Sequence, residues 1–255
     1  MNRITLLSLA LATAACSSSK QPTREEYDDT AQAIASNTST SSGGSSGGGD
    51  VSSMADTVSL SLGVMPQGIS LMGDGHFHGT RLGVDYSYSL TCKSVAGVVA
   101  ACGPTTDQAT VQVAWSGNLT STAVDASVSR TGSWTVTGLQ SSTATFSGDS
   151  TLSFDATLRS IFRPGVTATY NFDASASYNA VKITTQQRQV IDGSASFDLT
   201  AHHTVTGAGT NNVDASFDVH AQITFHADHT AELVLDGTQH YSLDLATGVV
   251  VRVGA

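Results

Sequence analysis

Charge is scarce in this chain. Asp, Glu, Lys and Arg make up 13% of its 255 residues, and only 11 of those are Lys or Arg. With a formal net charge of −10 and no basic run, the chain would repel a phosphate backbone, which argues against a nucleic-acid partner. Proline is rare at 4 residues, and cysteine occurs 3 times, at Cys16, Cys92 and Cys102. Amphipathic helical spacing of useful length is not evident, and the one long apolar run, near the start, is too short to cross a bilayer as a helix. Ser, Thr, Gly and Ala fill the space these absences leave.

The run lies within residues 1–15, behind a single basic residue, Arg3, and ends in small residues, the shape of a secretory leader. Thr13-Ala14-Ala15-Cys16 follows it. Here the chain resembles the bacterial lipoprotein class, whose leaders end in a lipobox closing on cysteine; Ala14, Ala15 and Cys16 match, and Thr13 stands where Leu is preferred. The resemblance implies cleavage after Ala15 and lipidation (palmitate and related acyl chains) of Cys16. Ser17, rather than Asp, after the cysteine implies sorting to the outer membrane. It covers the leader and anchor only. The expected location is the bacterial cell envelope, and the expected partner is the membrane, reached through that anchor.

Residues 16–55 read as the lipidated cysteine and a disordered tether, rich in Ser, Thr and Gly between Ser41 and Gly49. Its 39 residues beyond the anchor would have an r.m.s. span of roughly 35 Å. A helical turn near Glu25–Ala35 would be marginal alone. Gly43 to Gly47 matches G-x-S-x-G, without the strand and helix that a nucleophile elbow requires.

Residues 56–255 form a single all-β domain in this reading. The alternation is clearest from Ala168 to Ala180, where Tyr170, Phe172, Ala174, Ala176 and Tyr178 share one parity and Asn171, Asp173, Ser175 and Ser177 the other. Similar stretches start with a first strand at Thr57–Gly63 and continue over 80–92, 109–116, 122–130, 143–158, 194–206 and 213–227. Asp192-Gly193, Asp236-Gly237 and Thr247-Gly248 read as turns, the last two within a C-terminal three-stranded meander. The spacing predicts about 11–13 antiparallel strands in one large meander. So wide a sheet curls, so a closed or nearly closed barrel is expected, with a two-layer sandwich as the alternative.

Cys92 and Cys102 are the cysteines left after the anchor and are expected to pair in an oxidising compartment. Eight histidines raise the question of metal; His76 and His78 would share a strand face, His226 and His229 flank a turn, and His202, His220 and His240 lie on other strands. No Cys or Glu completes a familiar spacing, so no metal or cofactor is expected. Asp85, Asp125, Asp173, Asp198, Asp214 and Asp218 read as outward charges protecting the sheet. Gly148-Asp149-Ser150 resembles the start of the GDSL hydrolase block, but the late Asp-x-x-His and the α/β pattern are missing. No catalytic constellation emerges.

The expected function is a lipid-anchored, non-enzymatic binding or structural module, with an envelope protein as a possible partner. Inward Ala residues suggest a second reading, a barrel or cupped sheet carrying an apolar ligand. Phe146/Phe154, Tyr170/Tyr178 and Phe217/Phe225 suggest a third, a membrane-embedded barrel, because eight residues of strand span roughly 27 Å, near the spacing of two aromatic girdles.

Overall fold

A computed structural model describes residues 21–39, 49–73, 75–81, 83–120, 124–159, 167–205 and 213–254. The leader, Ala15, Cys16 and the Gly43–Gly47 motif lie outside the described residues. The chain forms one antiparallel meander of 13 strands. They are β1 (Ile69–Leu71), β2 (Phe77–Arg81), β3 (Val84–Ser94), β4 (Val99–Ala100), β5 (Thr106–Thr120), β6 (Val124–Thr137), β7 (Thr143–Arg159), β8 (Thr167–Thr184), β9 (Val190–Val205), β10 (Val213–Phe225), β11 (Thr230–Leu235), β12 (Gln239–Asp244) and β13 (Val250–Arg252). Each pairs with the next, except that β4 folds back on β3 and β5 takes the place beside it. Among the described residues β1 and β13 do not pair, so strand bonding leaves the ring open there.

Two helices, α1 (Arg24–Thr38) and α2 (Asp50–Ser61), stand against the inner face and are buried along nearly their whole length. This overturns the expected disorder of 16–55 over residues 24–38 and 50–55, and the packed body begins before residue 56. It also replaces the strand expected at Thr57–Gly63. Val58 and Leu60 do alternate, but Val51, Met54 and Val58 already follow helical spacing, and all four are buried at 3% exposure or less. α1 has a sequence start signal of its own, since Thr23 and Glu26 form a capping box. Its polar residues tolerate burial partly by bonding back to the helix: Thr30 Oγ1 donates to the Glu26 carbonyl at 2.7 Å, and Asn37 Nδ2 to the Ala33 carbonyl at 2.9 Å.

The inner face fits large residues beside small ones. Trp134 and Tyr178 flank Gly148, Phe172 and Phe217 flank Ala201, and Phe197 lies between Ala176 and Ala221. The inward alanines thus make room for neighbouring rings. Phe146, Tyr170, Tyr178, Phe217 and Phe225 are exposed by 2% or less, so the eight-residue aromatic spacing marks the inside of the sheet rather than its outer surface.

Parity breaks in β8. Ala180 takes a positive φ of 50° and is exposed, and beyond it Val181 and Ile183 are buried in place of the even positions. Opposite this bulge lies Gly193, at φ 105°, where a Cβ would come within 2.4 Å of Val181 Cα. Asp192-Gly193 is therefore not a turn but part of β9; the turn is at Thr184–Gln189, with Arg188 at φ 58°. The C-terminal meander forms as expected, and Asp236 (φ 47°) and Gly237 (φ 67°) make the tight turn. A disulfide joins Cys92 to Cys102 and closes the hairpin carrying β4, whose tip exposes Val95, Val98 and Val99.

Candidate functional site

Inside the sheet, acids on the two helices meet arginines and tyrosines on the strands. Asp28 accepts from Tyr241 Oη at 2.9 Å and from Arg252 Nε at 2.9 Å. Asp50 pairs with Arg130 Nη1 at 2.6 Å and accepts from Tyr178 Oη. Asp56 accepts from Arg81 Nη1 at 2.7 Å and Tyr88 Oη at 3.1 Å. The same arrangement thus occurs three times: a helix aspartate, a strand arginine and a strand tyrosine. Each guanidinium also lies over a tyrosine ring, Arg81 over Tyr86 at 5.7 Å, Arg130 over Tyr178 at 6.0 Å and Arg252 over Tyr241 at 5.4 Å.

Further contacts hold α1. Tyr170 Oη donates to Asp29 at 2.6 Å, Tyr27 Oη donates to Asp236 at 2.8 Å, and His203 Nε2 is 3.4 Å from Glu26 Oε1. Arg252 Nη2 also donates to the Arg24 carbonyl at 3.0 Å, so β13 grips the start of the helix. α2 ends at the opposite mouth, where Gly103 N donates to the Ser61 carbonyl at 3.1 Å. The helices therefore run from the β11–β12 turn towards the disulfide hairpin.

Burial pushes the Asp50 and Asp56 carboxyls up from their usual range, while Arg130 and Arg81 pull the other way. Burial alone would lower Arg130, but Asp50 and Tyr178 together outweigh it and the guanidinium is held more firmly charged. Tyr88, Tyr178 and Tyr241 are all raised, chiefly by burial, and Tyr27 is pushed up to about 12, so each phenol stays a proton donor. Buried pairs of this kind add little net stability, because desolvation offsets attraction, but losing one partner costs ~3–5 kcal/mol. They fix where the helices sit.

The outer face is different. A trough of about 710 Å³ crosses the middle strands, walled by Ser87, Gln112, Ser133, Thr151, Ser175 and Ser177, with Asp149, Asp198 and His76 around it. Cross-strand bonds order the wall: Gln112 Nε2 donates to Ser133 Oγ at 2.8 Å, and the Thr131 and Thr151 hydroxyls are 2.9 Å apart. Among the described residues that line it there is no Phe, Tyr or Trp.

The remaining candidates are dispersed. His202 bonds Asp214 at 2.8 Å, His220 bonds Asp198 at 2.8 Å and His240 bonds Glu232 at 3.1 Å, all on the outer surface. The His76 and His78 rings are 6.2 Å apart, and His226 and His229 are exposed at their turn. Asp85 accepts from Thr80 and Asp218 from Thr200, while Asp125 and Asp173 are exposed. No group of three or more His, Cys, Asp or Glu among the described residues is placed to hold a metal ion. In the Gly148-Asp149-Ser150 motif, Ser150 Oγ accepts from buried Arg130 at 2.5 Å, and Asp149 and Ser150 both border the trough.

Sequence reasoning missed the inner network. Arg130 carried a signal, since it shares the inward parity of Ala126, Val128 and Trp134. Asp28, Asp29, Asp50 and Asp56 lay in a stretch read largely as tether, and Arg81 and Arg252 near strand ends, where charge is ordinary. No family model, curated protein or solved structure matches this chain.

Proposed function

We propose that this chain is an envelope module that works by binding rather than catalysis, held at the outer membrane by lipidated Cys16. Its working surface is the outer trough, and its ligand is a neutral, polyhydroxylated strand such as a glycan. The observation carrying this reading is the trough's composition. Hydroxyls and one amide offer paired donors and acceptors. Asp149, Asp198 and the net charge of −10 disfavour an anion. The trough lies over the middle of the sheet, where backbone groups are paired, so a peptide could not add as a strand.

The other two readings fit less well. The helices occupy the inner face, which argues against an apolar cargo there. Aromatic rings turned inward and hydroxyls turned outward argue against an embedded barrel, where a polar lipid-facing surface is costly. If Cys16 is the anchor, only six residues separate it from the cap at Thr23, a reach of roughly 25 Å. The body then stands close to the headgroups.

Co-sedimentation with insoluble cell-wall polysaccharide tests the ligand. The domain should pellet with the glycan, and Ser133→Tyr with Ser175→Tyr, which fill the trough, should leave it in the supernatant. Equal pelleting by both proteins, or by neither, would overturn the trough as the site. Fractionation of a Cys16→Ala chain tests the anchor; release to the soluble phase is expected, and retention would overturn it.

A further inference from the structure

The two helices are held unequally. α2 buries Val51, Met54, Val58 and Leu60, so apolar packing supports its two aspartate latches. α1 buries only Tyr27 and Ile34 as large apolar side chains, with alanines, and beside them Glu26, Asp28 and Asp29. Its place is therefore set by polar contacts, whose net worth is small once the desolvation of each acid is counted. Those contacts reach far along the chain: Asp29 to Tyr170 spans 141 residues, Asp28 to Tyr241 213, and Asp28 to Arg252 224. Covalently, α1 is joined to the packed body only through the stretch between Ser39 and Gly49. The backbones at its two ends touch, since a Cβ on Gly49 would lie 1.9 Å from the Ser39 carbonyl oxygen. Nine residues lie between them, enough to span roughly 30 Å when extended.

A receptor site and its ligand thus share one chain and are tied by a link long enough to let them part. We propose that the inner surface formed by Tyr170, His203, Tyr241 and Arg252 is a receptor for an acidic helix, and that α1 from a second copy of this chain can replace the resident α1. Every contact made within one chain is available between two, so exchange needs no new complementarity. The released helix carries Arg24, Glu25, Glu26, Asp28 and Asp29 and remains soluble. α2 stays seated on its own apolar residues and keeps Asp50 on Arg130 and Asp56 on Arg81. Chains crowded on one surface would be stapled in pairs, trough and anchor unchanged.

Charge reversal across the latch tests this with full-length chains. Asp28→Arg sets two guanidiniums against each other within its chain, and Arg252→Asp sets two carboxylates together. Mixed, each helix finds an opposite charge in the other chain's receptor. Native mass spectrometry should show a 1:1 heterodimer in the mixture at about 100 µM and mainly monomer for each variant alone. A mixture that stays monomeric, with near-UV circular dichroism showing both variants folded, overturns the proposal. If either variant fails to fold, a labelled peptide of residues 21–39 is titrated onto the unmodified chain. Saturable binding, weakened at least about tenfold by Asp28→Asn with Asp29→Asn in the peptide, supports exchange. No binding at millimolar peptide, or binding indifferent to both substitutions, overturns it.

Discussion

Arg130 and Asp50 face each other at 2.6 Å with both side chains wholly buried. Arg130 Nη2 also donates to Tyr178 Oη at 2.6 Å, and Tyr178 donates on to Asp50, so the three close a ring between β6, β8 and α2. The ring links the middle of the sheet to the start of a helix through polar groups.

Removing one member should therefore cost far more than removing both charges. We expect Arg130→Met to destabilise the chain by ~3–5 kcal/mol, because Asp50 is left buried and unpaired. Adding Asp50→Leu to that change should recover most of the loss. Urea unfolding of the two single variants and the double gives the coupling directly; additive losses would contradict it.

Alkali should unfold the chain cooperatively. Tyr88, Tyr178 and Tyr241 are raised, mainly by burial, above the ordinary phenol value of about 10. A group raised in the folded state holds a proton that the unfolded chain gives up. Its stabilising contribution is complete below the unfolded value and is lost as pH climbs from there towards the folded value. Absorbance of phenolate followed beside circular dichroism should show these tyrosines ionising together with loss of structure above pH ~10.

Gly193 and Gly237 both have positive φ, but only one is crowded. At Gly193 a Cβ would strike Val181 Cα at 2.4 Å, whereas at Gly237 it meets nothing within 4 Å. Gly193→Ala should cost more than ~2 kcal/mol, and Gly237→Ala about 1 kcal/mol, the ordinary penalty for alanine at such a φ. Thermal denaturation of the pair separates crowding from backbone preference.

The disulfide closes a short loop, a separation of 10 residues. Replacing Cys92 and Cys102 by serine should cost ~3 kcal/mol on chain-entropy grounds. Proteolysis should then cut first in the hairpin around Val95 to Val99.

Strands proved legible wherever one face was buried and the other wet, as in Tyr170 to Tyr178 and the C-terminal meander. Period-two reading failed where local geometry departed from it. Ala180 adopts a positive φ that alanine does not advertise, so the parity change at Val181 could not be foreseen. The helices were missed for another reason. Tether composition and helix composition overlap when a helix is buried by polar latches, because Asp28, Asp29 and Thr30 look solvated until Tyr170, Tyr241 and Arg252 are brought beside them. Thr23 and Glu26 were a local sign of α1, and the spacing of Val51, Met54 and Val58 one of α2. The inner network was illegible because each of its members is ordinary alone and acquires meaning only across separations such as the 224 residues between Asp28 and Arg252.

That separation also sets an order of events. At ~5–20 residues per second, a ribosome finishes α1 some 10–45 s before it reaches Arg252. A 15-residue helix is marginal in water on its own, so this segment stays uncoiled until the last strand arrives to enclose it. Seating of α1 is thereby postponed to the end of synthesis, and the latch between Asp28 and Arg252 closes only after the final strand has been made.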